Sequence, residues 1–219
     1  MNQIWWYAAR SSGVVAWVLL TASVVWGLGL STRVRAPGRT PAWVLDLHRF
    51  LGGLATLFVG VHLGALLADS YIDFDVVDLV VPGASPWQPG AVAWGVVGLW
   101  LVAAVEVTSL AKRHLPIRWW QRVHILSLPL FVVATLHFAQ AGTDAGNTAA
   151  VVAMIAASAA VAALVVRRTA RQLSKSAGAA PTRPGRLAPT PAGARERTST
   201  SGAGMPVAGP PVVVAGRPH

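Results

Sequence analysis

The chain has 219 residues, 54% of them apolar, with a mean hydropathy of +0.53 and a net charge of +10. That composition belongs to membrane proteins rather than to soluble cores. The basic residues crowd into short connectors and the C-terminal stretch, which argues against nucleic-acid binding, and the absence of cysteine excludes disulfides, thiolate metal sites, iron–sulfur clusters and covalently attached haem.

Trp5, Trp6 and Tyr7 precede the first apolar run and read as an interfacial anchor. Gly13 to Leu30 is the first predicted span. Its length, the single Arg10 ahead of it and the lack of a small-x-small cleavage site set it apart from a signal peptide. Arg33, Arg35 and Arg39 fill the next connector. Val44 to Ala68 is the second span and carries His48 and His62. Asp69 to Gly90 is a longer connector with four aspartates and no lysine or arginine. Ala91 to Ala111 is the third span, and Lys112, Arg113, Arg118 and Arg122 mark the connector beyond it. Trp119 to Gln140 is the fourth span, with His124 and His137. A short turn without basic residues, Ala141 to Asn147, leads to the fifth span, Thr148 to Val166, which Arg167 and Arg168 close.

From about Arg171 the chain turns to Ala, Pro, Gly, Ser, Thr and Arg, and reads as a disordered tail. The expected organisation is a membrane domain over 1–170 and a basic tail over 171–219. No GxGxxG opens a βαβ unit, and there is no room for a flavin or nicotinamide domain. Basic connectors alternate with connectors lacking Lys and Arg through all five spans. The positive-inside rule then puts the N-terminus outside and the tail in the cytoplasm. The predicted fold is an all-α, five-span helical bundle in the cytoplasmic membrane.

Ionisable residues inside a bilayer are rare and usually functional, so the four membrane histidines carry the reading. His48 and His62 are fourteen apart. Fourteen steps of about 100° nearly complete four turns, which puts both on one helix face, ~21 Å apart along the axis. Spans two and four run in the same direction. Trp43 lies five residues before His48, and Trp119 five before His124. With both tryptophans at the inner interface, His48 is level with His124, and His62 with His137. Each pair is placed to sandwich one porphyrin iron between facing helices. A neutral imidazole brings no charge into hydrocarbon and is a good iron ligand, and two of them fill the axial positions, so the haem passes electrons.

His124 and His137 are only thirteen apart, which misses a whole number of turns by about 140° on a straight helix. Pro129 lies between them and predicts a kink or local rewinding. Gly52, Gly53, Gly60 and Gly64 are candidates for close approach of a macrocycle, or for ordinary helix packing. Arg49 and Arg122 flank the inner histidines and are candidate partners for haem propionates. Arg49 is also placed to pair with Asp46, and Arg122 to mark topology. Glu106 reads as a proton or quinol-head-group site, or as a partner of Arg113. His114 and His219 are assigned to solvent. A lone membrane histidine is most often an interhelical hydrogen-bond residue. A zinc or copper site fits less well, because ~20 Å separates the histidines along each helix and no carboxylate or thiol completes either pair. A haem-free transport or proton-relay protein stays open as the alternative.

The spacing His48-x13-His62, followed by TSLAKRHLPIRWWQRVHILSLPLFVVATLHFAQAGTD over 108–144, resembles the ferric reductase-like transmembrane domain. That superfamily takes in ferric reductases, NADPH oxidases and the haem subunit that serves periplasmic methionine sulfoxide reductase. The resemblance covers about residues 10–145. It implies two non-covalent b-type haems with His48, His124, His62 and His137 as axial ligands, and electron flow from a cytoplasmic or quinol donor to an extracytoplasmic acceptor. Many members carry six spans and a cytoplasmic flavin and nicotinamide domain. This chain has five spans and a low-complexity tail, so a separate flavoprotein or quinol is the expected donor. The outer aspartates are candidates for attracting ferric ions, though avoidance of positive charge outside explains them equally well.

Overall fold

The computed structural model describes residues 3–33, 41–70, 72, 74–142 and 146–178. Seven α-helices occur among them and no strand: α1 Gln3–Arg33, α2 Ala42–Ala68, α3 Val76–Val80, α4 Pro89–Leu110, α5 Ile117–His124, α6 Ser127–Ala141 and α7 Thr148–Gly178. A 3-10 turn, Ala111–His114, extends α4. Five stretches are long and apolar enough to cross a membrane: α1, α2, α4 with its 3-10 turn, α5 with α6, and α7. Hydrocarbon offers no partner for backbone N–H and C=O groups, so each crossing closes its hydrogen bonds within itself as a helix. The 27 residues of α2 reach about 40 Å, more than the ~30 Å hydrocarbon core.

The helices outrun the apolar windows. α1 begins at Gln3 rather than Gly13. α7 continues to Gly178, so residues 171–178 are helical where a tail was expected. Hydropathy marks where lipid ends, whereas Ala170, Gln172 and Leu173 are good helix formers on either side of that border. The remainder of the expected tail with His219, the Arg35 and Arg39 connector, Asp73 and Asp144 lie outside the described residues.

α2 packs along α1, and α6 packs along α4. α1 also meets α6 and α7, which ties the two pairs together. At that seam Trp17 stacks on Phe138 with ring centres 5.0 Å apart, and its Nε1 donates to Thr135 Oγ1 at 3.1 Å. Trp26 Nε1 donates to the Val44 carbonyl at 2.9 Å, pinning the start of α2 to α1. Val24, Leu28, Phe131 and Val161 form a core among α1, α6 and α7. A partly open cavity of about 1650 Å³ lies among α1, α2, α4, α5 and α6.

The long connector is folded. Asp75 caps α3 by accepting from Val76 N, while Asp78 Oδ2 accepts from Asp75 N at 3.0 Å, a reciprocal capping box. Phe74 and Leu79 pack with Val92 and Val96 of α4, with Trp87 edge-on to Phe74. Trp100 Nε1 donates to the Val80 carbonyl at 2.9 Å. Gln88, in the left-handed region at φ 41°, turns the chain into α4, with Pro89 opening the helix. Two of the four outer aspartates are thus occupied in capping α3, and Asp69 is buried.

Candidate cofactor site

The fourth span breaks just after His124. Leu126 N bonds Val123 O at 2.9 Å and Leu128 N bonds Ile125 O at 3.1 Å, both three-residue steps. Pro129 has no N–H to offer the Ile125 carbonyl, and Leu128 takes that acceptor in its place. A three-residue step advances about 120° per residue instead of 100°. The overwound turn recovers part of the angular shortfall of the thirteen-residue spacing, and beyond the break His137 does face His62.

The outcome is two facing pairs of imidazoles. His48 and His124 have ring centres 5.9 Å apart with planes at 82°. His62 and His137 stand 6.4 Å apart at 76°. These are the pairs that matched depth predicts. All four rings line the cavity.

Backbone carbonyls orient three of the rings. His62 Nδ1 donates to Ala9 O at 2.7 Å, His137 Nδ1 to Ala91 O at 2.8 Å and His48 Nδ1 to Ser23 O at 3.1 Å. A carbonyl only accepts, so Nδ1 carries the proton in these bonds and Nε2 keeps its lone pair; at His48 the Ser23 hydroxyl also stands 3.3 Å from Nδ1. His124 Nδ1 has instead the Ser109 hydroxyl at 3.5 Å. Trp120 stacks on His124 at 4.9 Å and 22°, and Lys112 Nζ sits 3.9 Å above the Trp120 ring. Trp120 also lines the cavity, and its buried Nε1–H has no acceptor among the described residues.

These features suit an iron porphyrin held between imidazoles. Two metal–imidazole bonds of about 2 Å each, with the offset from ring nitrogen to ring centre at either end, span about 6 Å, the separation seen in both pairs. The cavity exceeds the ~300–1,000 Å³ that houses one drug-sized ligand, which leaves room for two such groups. Among the described residues no three His, Asp or Glu side chains converge, so the three or four protein ligands of a zinc site are not assembled.

Arg49 lines the cavity on the His48 side and pairs with Asp46 at 3.3 Å, both side chains 64% exposed. Arg122 lies over the exposed Trp119 ring. Glu106 does not pair with Arg113 among the described residues. Its carboxyl is directed at Gly52 and Thr56 inside the cavity. Gly52 and Gly53 line the cavity, whereas Gly60 and Gly64 lie outside its lining and face open space, so close helix packing does not account for those two. His114 is exposed.

Three glycines that the sequence reading passed over do meet the site. A Cβ on Gly13, Gly27 or Gly95 would stand 3.1, 2.9 or 2.7 Å from the ring of His62, His48 or His137. A signal for two of them was present: Gly13 and Gly27 are fourteen apart, the spacing of His48 and His62.

The family model described as "Ferric reductase like transmembrane component" matches residues 12–135. No curated protein and no solved structure gives a match. The matched segment takes in most of α1, all of α2 to α5 and most of α6, hence three of the four histidines and all three glycines, and it is more than half of the 219 residues. The chain therefore belongs to the ferric reductase-like transmembrane family.

Proposed function

We propose that the protein carries electrons across the membrane through two b-type haems, one held by His48 and His124, the other by His62 and His137. The observation that carries this reading is the pair of imidazole couples, each about 6 Å across, set in one apolar cavity at two depths. Haem iron supplies reversible one-electron chemistry. The chain would supply Nε2 lone pairs on oriented rings, an imidazole for each face of the macrocycle, and a mainly apolar wall. Two imidazoles bound to the iron would leave it no free position for oxygen or water. Arg49 beside His48, and the unsatisfied Trp120 Nε1–H, supply a cation and a donor for the carboxylates of the inner haem. The exposed Arg49–Asp46 pair is worth about 0–1 kcal/mol, so exchanging its partner costs Arg49 little.

Direction follows from charge. Lys112, Arg113, Arg118 and Arg122 gather at the end of the bundle that holds His48 and His124, while α3 and its capping aspartates close the other end. The basic end faces the cytoplasm, where a separate flavoprotein or a quinol delivers electrons, and an extracytoplasmic acceptor takes them beside His62 and His137. The test is spectroscopic. The purified full chain should be red, with a b-type reduced-minus-oxidised spectrum and two haems per chain. His62→Ala and His137→Ala should each keep one haem, the inner one. A colourless, folded protein from haem-replete cells would sink the reading and favour a histidine proton relay or transporter.

A further inference from the structure

The carbonyl that accepts from each ring and the glycine that faces it stand in a fixed register. Ala9 is four residues before Gly13, Ser23 four before Gly27, and Ala91 four before Gly95. In an α-helix the carbonyl of residue i already bonds the N–H of residue i+4, and the side chain at i+4 leans back toward the helix N-terminus, over that carbonyl. Without a Cβ at i+4, the carbonyl's second lone pair is open to a donor from outside the helix. The same notch occurs three times, on two helices that contribute none of the four histidines.

We propose that Gly13, Gly27 and Gly95 are positioning residues. Each opens a carbonyl in α1 or α4 to the Nδ1–H of an imidazole from the neighbouring helix, and so sets that ring's tautomer and plane for iron. This rests on the haem reading given above. The ring cannot simply back away from an added methyl, because retreat breaks the Nδ1 bond that orients it and sustains its basicity. The clearances of 2.7 Å at Gly95, 2.9 Å at Gly27 and 3.1 Å at Gly13 rank the expected severity. The fourth ring is the exception that defines the rule. Ser109 holds the corresponding place in α4, fourteen residues after Gly95. Its hydroxyl, 3.5 Å from His124 Nδ1, replaces the carbonyl. Among the described residues His124 is thus the one imidazole of the four with no backbone acceptor given by a notch.

Alanine substitution in the full chain tests this, with Gly60 and Gly64 as controls in the same membrane, because they lie outside the cavity lining and nothing lies within 4 Å of their Cβ positions. Haem per chain and redox titration are read on solubilised membranes, where the haem that stays reports that the bundle has folded. Gly95→Ala and Gly13→Ala should weaken retention of the outer haem alone, and Gly27→Ala that of the inner haem alone, by about 10–100-fold as for other outer-shell ligand partners. The control variants should keep two haems at unchanged midpoint potentials. The proposal is overturned if the three variants keep both haems with unshifted potentials, if each loses both, or if the controls lose haem equally. A colourless parent protein would count against the haem reading itself, whereas a two-haem parent with silent glycine variants counts against the notches alone.

Discussion

At the residue scale, the four imidazoles are held unequally. His62 and His137 both have short carbonyl bonds, while in the other pair His48 has a longer one and His124 has a hydroxyl, an indole and a nearby ammonium. Removal of that hydroxyl in Ser109→Ala is expected to shift the midpoint potential of the inner haem and leave the outer one in place, as read by redox titration. Arg49→Ala should weaken the inner haem alone. Its effect on folding stability should stay within about 1 kcal/mol, since it breaks only an exposed ion pair, and chemical denaturation of the haem-free chain would measure that. The histidines were legible in the sequence because an ionisable ring stands out in an apolar run, and their partners were legible from depth. The notch glycines were not, because the atom that makes each of them necessary belongs to a ring on another helix. Gly60 and Gly64 show the converse: the small-xxx-small spacing is present, yet both look onto open space.

At the level of elements, sequence located all five crossings and the proline that disturbs the fourth. It did not locate the break itself. That lies at Ile125–Leu126, where the acceptor freed by Pro129 is retaken one residue early. Pro129→Ala would restore an N–H that competes for the Ile125 carbonyl and favours a straighter helix. The expected result is a fall in outer haem content with the inner haem kept, because α5 lies before the break and α6 beyond it carries His137. Unchanged content of both would mean that the packing of Leu130, Phe131 and Val133 alone fixes the break. Helix ends were the least legible feature. A hydropathy window reports the solvent around a segment, and a helix ends where its hydrogen bonds do.

For the molecule as a whole, absence of cysteine gives a clean background for mapping its sidedness. Ala84 is exposed in the connector before α4, and Arg113 is exposed at the opposite end of that helix. Ala84→Cys should react with a membrane-impermeant maleimide on intact cells, and Arg113→Cys only after permeabilisation. The reverse pattern would invert the proposed route of the electrons. Length is the other property fixed at this scale. Gly13 to Gly27, His48 to His62 and Gly95 to Ser109 are three rulers of fourteen residues laid side by side. One codon inserted within any of them would turn everything beyond it by about 100° and advance it by about 1.5 Å, putting the far haem out of phase with its walls. The same codon in the stretch between Asp69 and Gly90 would disturb neither phase. Tolerance of insertions should therefore follow these intervals rather than the degree of burial.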